Sequence, residues 1–269
     1  MNIIETLKKL PQYEELKNLT VNKYIKGDSP NTSEILNFIK KYGAIGFEIF
    51  KAHSLSEGLY CYPTKELELF LKEEISNYKN PIEIGAGNGY LNKIIGIRGT
   101  DSMIQLTPSI KAYYELNNHY PLNYINKNIE KLTDLESIEK YKPDLVIASW
   151  VTQKTSLEKY DEGFIHGVQE IKWLEENSVK KYIFIGNFKT HMNKNIFDLK
   201  ELEKIIKKKN NKIGFDVEFI LGGGSFSRSE LVEQNFISVI TKNNSGEVTY
   251  KTNDKRNIHN FVFNLRELL

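Results

Sequence analysis

The chain is poor in cysteine, in long apolar runs and in any excess of one charge, and each shortage closes off a class of protein. One cysteine, Cys61, in 269 residues cannot build an internal disulfide framework and gives no sign of a structural zinc site. It reads as a small buried hydrophobe. Lys and Arg number 37 against 35 Asp and Glu, a balance that points to no polyanionic partner. No stretch approaches the ~18 apolar residues that cross a bilayer. The opening "MNIIETLKKLPQYEEL" mixes acids and lysines with apolar residues and lacks the continuous apolar core of a secretion signal. The expectation is a cytoplasmic protein with no membrane attachment and no bound metal.

Against these absences stand 40% hydrophobic and 12% aromatic residues, enough for one large α/β domain or a domain with a helical attachment. Up to about Lys79 the pattern is mostly helical. "SEILNFIKKYGAIGFEIF" places Ile35, Phe38, Ile39 and Tyr42 at helical spacing with Ser33 as cap. In "PTKELELFLKEEI", Pro63 stands near the first turn, and Leu67, Phe70, Leu71 and Ile75 share a face. Beyond Asn80 short apolar runs alternate with helical stretches. Strands are expected at "PIEIG", "GTDSMIQ", "LNYINKN", "PDLVIASW" and "KYIFIGN", with helices between them. Such alternation predicts a parallel sheet covered on both faces. "FDVEFIL" and "NFISVITKN" have no long crossover between them and should pair antiparallel. The segment from Asn244 onward is a hairpin or a helix.

The stretch Glu83-Ile84-Gly85-Ala86-Gly87-Asn88-Gly89 is the most specific signal. Three alternate glycines suit neither helix nor strand, so either a ligand approaches that backbone or the chain turns where a Cβ would clash. A strand that ends in such a loop and feeds a helix makes a crevice for anions and sugars. Nicotinamide enzymes place a glycine six positions into this motif. Here that position is the bulky Tyr90, which disfavours them. The pattern resembles motif I of the class I S-adenosylmethionine-dependent methyltransferases, and the likeness extends from about Leu59 to Lys242. More narrowly, "EIGAGNGYL", "KPDLVIASWVTQ" and "YIFIGN" are similar to a bacterial and phage branch of methyltransferase-like proteins.

That resemblance implies a Rossmann-like seven-stranded methyltransferase sheet, mostly parallel with an antiparallel last strand, under an N-terminal helical cover. It implies three regions: a cover over 1–58, the cofactor domain over 59–243 and a tail over 244–269. It implies S-adenosylmethionine as cofactor, held by Tyr60, Glu83, Gly85, Ala86, Gly87, Gly89, Asp101, Asn128, Ile129 and Ser149. In it Asp101 accepts from the ribose hydroxyls and Asn128 from the adenine amino group, with the Ile129 backbone reaching the ring. Tyr60 and Tyr62 either pack over the methionine portion or serve as core aromatics under the cover. Read on its own, Asp101 in "TDS" also suits a helix cap.

The methyl acceptor would lie beyond the fourth and fifth strands. Ser149-Trp150-Val151-Thr152-Gln153 lacks the paired prolines that methyltransferases acting on adenine or amide nitrogens carry there, which favours a small-molecule or protein acceptor over nucleic acid. Trp150 either stacks on a planar acceptor or packs on the next helix. Asn187 and His191 follow the fifth strand, and His166 is a second imidazole; no base stands out. Gly222-Gly223-Gly224 reads as a flexible connection with Arg228 beyond it, and "KIIKKKNNK" as the solvated end of a helix. The alternative to an enzyme is a catalytically silent binding or interaction protein that keeps the fold.

Overall fold

The computed structural model describes residues 3–116, 129–153, 167–191, 194–221, 226–227 and 235–252. The N-terminal elements are α1 (Ile3–Leu7), α2 (Pro11–Leu19), α3 (Val21–Ile25), α4 (Thr32–Ser56), β1 (Cys61–Tyr62) and α5 (Lys65–Ile75). Then follow β2 (Pro81–Ile84), α6 (Tyr90–Ile95), β3 (Arg98–Asp101), α7 (Pro108–Leu116), β4 (Ile129–Lys131), α8 (Asp134–Tyr141) and β5 (Leu145–Ser149). The remainder holds α9 (Glu170–Glu175), β6 (Lys181–Asn187), α10 (Phe188–His191), α11 (Leu199–Lys208), β7 (Gly214–Leu221), β8 (Phe226–Ser227), β9 (Asn235–Asn243) and β10 (Val248–Thr252). These elements fall into two units. One comprises Met1–Asn77, Ala86–Leu132 and Gly224–Val232; the other Tyr78–Gly85, Thr133–Gly223 and Glu233–Leu269.

In the first unit the expected helices form, with their ends moved. The long helix α4 starts after Asn31, two residues before the expected Ser33, because Glu34 reaches back to accept the Asn31 N–H at 2.7 Å; such a reciprocal arrangement satisfies donors the first turn leaves open. Gly43, at φ 57 and ψ −134, breaks α4 into two segments. α5 is capped by Thr64, whose hydroxyl accepts from the Leu67 N–H at 3.3 Å, so Pro63 stands just ahead of the cap. Leu67 and Leu71 are buried, while Phe70 and Ile75 are half-buried on the same side. Tyr62 stacks on Phe50 at 4.6 Å and its hydroxyl meets His53 Nδ1 at 2.8 Å. It is therefore a core aromatic of the helical layer. β3 and β4 pair in parallel, with Gly99 opposite Ile129. A Cβ on Gly99 would lie 2.7 Å from Asn92 Cγ and 2.8 Å from Ile129 Cδ1, so only glycine permits this approach.

The second unit carries six strands in the order β10-β7-β9-β6-β5-β2. β2, β5 and β6 run parallel, β9 runs antiparallel to both β6 and β7, and β10 is parallel to β7. β5 is buried over Leu145–Ala148, and β6 over Tyr182–Asn187, the near-continuous burial of strands covered on both faces. Trp173, Tyr182, Phe184, Phe215 and Phe236 fill the core around them. Four sequence expectations hold to the residue or nearly so: a helix over "DLESIEKY", which is α8, and β6, β9 and the antiparallel β7–β9 pair. The strand total differs. Among the described residues, β3 and β4 of the first unit and the six strands of the second make eight strands of mainly parallel sheet against seven expected, and the additional one, β10, comes from the tail. The expected third strand at 122–128 lies outside the described residues; the described β4 begins at Ile129, which places Ile129 within a strand rather than beyond it.

Candidate functional site

The glycine loop is built as a chain of left-handed turns. Gly85, Gly87 and Gly89 have φ of 71, 55 and 77, a region that costs any residue with a Cβ. On the second unit's side, a Cβ on Gly85 would also lie 2.4 Å from Val151 Cγ1, so the end of β2 is bare partly because the exit of β5 presses against it. Glu83 is buried within β2 at 2% exposure.

On the first unit's side, the Ala86 N–H donates to the Thr100 carbonyl at 3.0 Å and closes the loop onto the end of β3. Asp101, 8% exposed, accepts from the Gly87 N–H at 2.9 Å through Oδ2 and from the Met103 N–H at 2.6 Å through Oδ1. The Asp101 carboxylate thus ends β3 and is turned onto the glycine loop. Asn88 Nδ2 donates to the Glu57 and Gly58 carbonyls at 3.3 and 3.2 Å, pinning the loop to the end of the helical layer, and Ala86 to Tyr90 are all buried. Tyr90 packs against Tyr24 with ring centroids 5.5 Å apart, and burial pushes its hydroxyl up to about 12. That aromatic contact explains why a tyrosine stands where a third packing glycine would in a nicotinamide motif. Tyr60 is half-buried beside β1, and Ile129 is buried in β4. Asn128, His166, Gly222 to Gly224 and Arg228 lie outside the described residues.

The second unit gathers the acceptor-side candidates at the carboxyl ends of β5 and β6. Ser149 ends β5, half-buried. Trp150 follows with φ 60, an outlier for a bulky side chain and a form of strain that collects at functional sites. Its N–H donates to the Ile185 carbonyl at 2.9 Å. Its ring stands perpendicular to that of His191, with centroids 5.0 Å apart. Asn187 donates its backbone N–H to His191 Nδ1 at 3.1 Å and its side-chain amide to Asn235 Oδ1 at 3.1 Å. The three acceptor-side residues expected from sequence are therefore neighbours. Gly186 makes this possible: a Cβ there would lie 2.4 Å from Phe184 Cε1 and 3.0 Å from His191 Nδ1.

His191 is 2% exposed. Burial, and then the Lys194 ammonium, bring it down to about 3 against the backbone groups of Asn187 and Trp150. The imidazole is neutral near pH 7, and because Nδ1 accepts a backbone proton, its own proton sits on Nε2. Nε2 makes no hydrogen bond of ordinary geometry among the described residues, although the Trp150 backbone lies close enough to favour its proton. His191 is built to donate a hydrogen bond, not to take a proton.

Sequence reasoning missed the charged pair behind this cluster. Lys194 Nζ lies 2.6 Å from Glu170 Oε2, both side chains at 3% exposure or less. The same ammonium donates to the Val151 carbonyl at 3.0 Å and sits 4.8 Å from the centre of the Phe184 ring. Tyr182 donates its hydroxyl to Glu170 Oε1. Burial raises Glu170 and lowers Lys194, each opposed by the partner's charge. A signal for Glu170 was present: it lies three and four residues before Trp173 and Leu174, on the buried face of α9. Lys194, in an irregular polar stretch, gives none.

The strand order of the second unit, with parallel β2, β5 and β6 followed by antiparallel β9 inserted before β7, is that of a Rossmann-like class I methyltransferase fold. No family model and no curated protein matches the chain. Solved structures to which it is similar include the mitomycin 7-O-methyltransferase MmcR, with 12% identity over 88% of this chain and 70% of that one at a TM-score of 0.34. A second is the ribosomal protein L11 methylase from Lactobacillus delbrueckii subsp. bulgaricus, with 14% identity over 65% and 77% at 0.28. A third is the 23S rRNA methyltransferase ErmE, with 12% identity over 67% and 69% at 0.36.

Proposed function

We propose that the protein is an S-adenosylmethionine-dependent methyltransferase. The observation that carries this reading is the clasp between Asp101 and the Gly87 N–H at 2.9 Å, which sets the carboxylate that ends β3 against a loop of left-handed glycines. The residues fit the cofactor. The absence of side chains at Gly85, Gly87 and Gly89 leaves backbone for an adenosyl group to lie against. Asp101 accepts from the Gly87 and Met103 N–H groups, and because a carboxylate accepts along several directions it would hold the loop and receive sugar hydroxyls together.

When bound, the cofactor supplies a sulfonium methyl group that forms a bond to the acceptor's lone pair as its bond to sulfur breaks. The chain's task is to orient the acceptor and exclude water. Trp150 and His191 would orient the acceptor, with His191 donating from Nε2 rather than removing a proton. The acceptor's proton then leaves to solvent or is lost before binding.

One observation favours the silent-binder alternative: Ala86 to Gly89 are already buried, and Asn88 is tied to Glu57 and Gly58. Thermal unfolding with S-adenosylmethionine, its demethylated product and NADH separates the readings. Stabilisation is expected from the first two and none from NADH; no shift with any of the three, or binding without turnover on any acceptor, supports the silent protein.

A further inference from the structure

Within the second unit, the exits of β5 and β6 bring together three features that the bare methyl-transfer reading does not require. Trp150 is a half-buried indole on a left-handed backbone. His191 carries an Nε2–H, is 2% exposed, and makes no hydrogen bond of ordinary geometry among the described residues, with the Trp150 backbone close enough only to favour its proton. The third is the clamp that fixes both: Lys194 holds the Val151 carbonyl at 3.0 Å and the Glu170 carboxylate at 2.6 Å, one residue beyond Trp150 and three beyond His191. A buried donor without an acceptor is costly, and a strained bulky residue survives only where its surroundings over-determine it. The Asn187 N–H accounts for Nδ1, but the neighbouring Trp150 and Phe184 rings offer Nε2–H no side-chain acceptor.

We propose that this cluster is the acceptor subsite and that it selects a planar ring bearing a lone-pair atom, such as a ring nitrogen or a ring carbonyl. The ring stacks on the Trp150 indole, an offset arrangement aromatic pairs prefer, and its lone-pair atom accepts from His191 Nε2–H. The bonded atom is not the one methylated, because donation to a nucleophile would tie up the electrons it needs. It sits elsewhere on the ring and sets its orientation. Discrimination follows from the buried donor: a ring without the lone pair leaves Nε2–H unsatisfied, and sites built to hydrogen-bond a ligand reject analogues that lack the group. This specificity rests on the methyl-transfer reading for its purpose, though not for its geometry.

The test uses the two tryptophans of the chain. Their indole N–H signals in a nitrogen-correlated NMR spectrum are assigned with Trp150→Phe, and Trp173, wholly buried, serves as internal control. The full-length protein is titrated with quinoline, planar with a ring nitrogen; naphthalene, planar without one; and cyclohexanone, an acceptor that is not planar. The Trp150 signal should move saturably with quinoline, about tenfold more weakly with naphthalene, and not with cyclohexanone. In His191→Phe the preference for quinoline over naphthalene should vanish while the naphthalene response stays. A Trp150 signal unmoved by both aromatic probes, an equal response to cyclohexanone, or a quinoline preference that survives His191→Phe overturns the proposal. S-adenosylmethionine is titrated into the same sample. Cofactor binding without a ring response rejects this subsite alone; a ring response without cofactor binding rejects methyl transfer and leaves the subsite standing.

Discussion

Replacing Lys194 by Met tests whether the clamp behind Trp150 is held by charge. The ammonium and the Glu170 carboxylate lie 2.6 Å apart at 3% and 2% exposure, so little solvent can screen either. Lys194→Met removes the ion pair, the bond to the Val151 carbonyl at 3.0 Å and the contact with the Phe184 ring. Among the described residues it leaves Glu170 with the Tyr182 hydroxyl as hydrogen-bond donor and with the Asp134 charge acting against it. Removing one partner of a buried pair costs about 3–5 kcal/mol, whereas replacing both by apolar groups is often neutral. The cost should depend on pH. Burial already holds the Glu170 carboxyl above the usual carboxylate range in the folded protein, and losing Lys194 raises it further. A carboxyl whose folded pKa is raised contributes its stability fully below the unfolded value and loses it as pH rises through the folded value. The defect should therefore be small near pH 4.5 and grow toward pH 8. Urea unfolding at pH 5, 6.5 and 8 of Lys194→Met, Glu170→Leu and the double variant measures it. Both single variants should lose about 3–5 kcal/mol at pH 8, and the double variant should lie within about 1–2 kcal/mol of wild type. Single losses below about 1 kcal/mol, or additive losses in the double variant, would refute the reasoning.

Gly85→Ala places a Cβ 2.4 Å from Val151 Cγ1 at φ 71; backbone strain and overpacking together should cost about 2–5 kcal/mol, read as a lower urea midpoint with an unchanged slope. His53 and His191 are both lowered to about 3 from 6.5, mainly by burial. Groups depressed in the folded state stabilise above the unfolded value and lose that contribution as pH falls, so stability should drop between pH 6.5 and 3 by about 1.4 kcal/mol per pH unit for each. Their ring-proton shifts should stay flat from pH 8 to 5, and a titration near 6.5 would contradict the burial argument. Asn88→Ala frees the glycine loop from the Glu57 and Gly58 carbonyls; amide exchange at Gly87 and Gly89 should quicken about fivefold to tenfold, the equivalent of one net hydrogen bond, with the exchange of β6 unchanged.

Sequence showed the scaffold best where one rule governs one element. The apolar runs of β5 and β6 read as strands buried on both faces, and "DLESIEKY" reads as a helix, whose start the Thr133 to Glu136 capping box sets in the structure. The glycine loop was legible because left-handed φ has few solutions besides glycine. Element ends were less so: Asn31 and Ser33 are both good caps, and only the reach of Glu34 decides between them. β10 was illegible, since "VTYKT" alternates exposure on a sheet edge and its partner β7 lies some thirty residues earlier, as the Val248–Phe215 pairing shows. The acceptor-side cluster was half legible. Trp150 and His191 lie just past β5 and β6 and Asn187 ends β6, but the tautomer of His191 depends on a backbone N–H and the clamp on a lysine outside any helix or strand, neither of which leaves a local pattern.

The central claim is that the bare backbone at Gly85, Gly87 and Gly89, with Asp101 clasping Gly87, is a seat for S-adenosylmethionine. Titration calorimetry of wild type, Asp101→Asn and Asp101→Ala with that compound tests it most directly. The account predicts saturable binding to wild type, weakened by about 1.5–3 kcal/mol in Asp101→Ala, the range for a hydrogen bond to a charged group, with Asp101→Asn in between. Absence of binding to the folded wild type, or equal affinity in all three proteins, would contradict it.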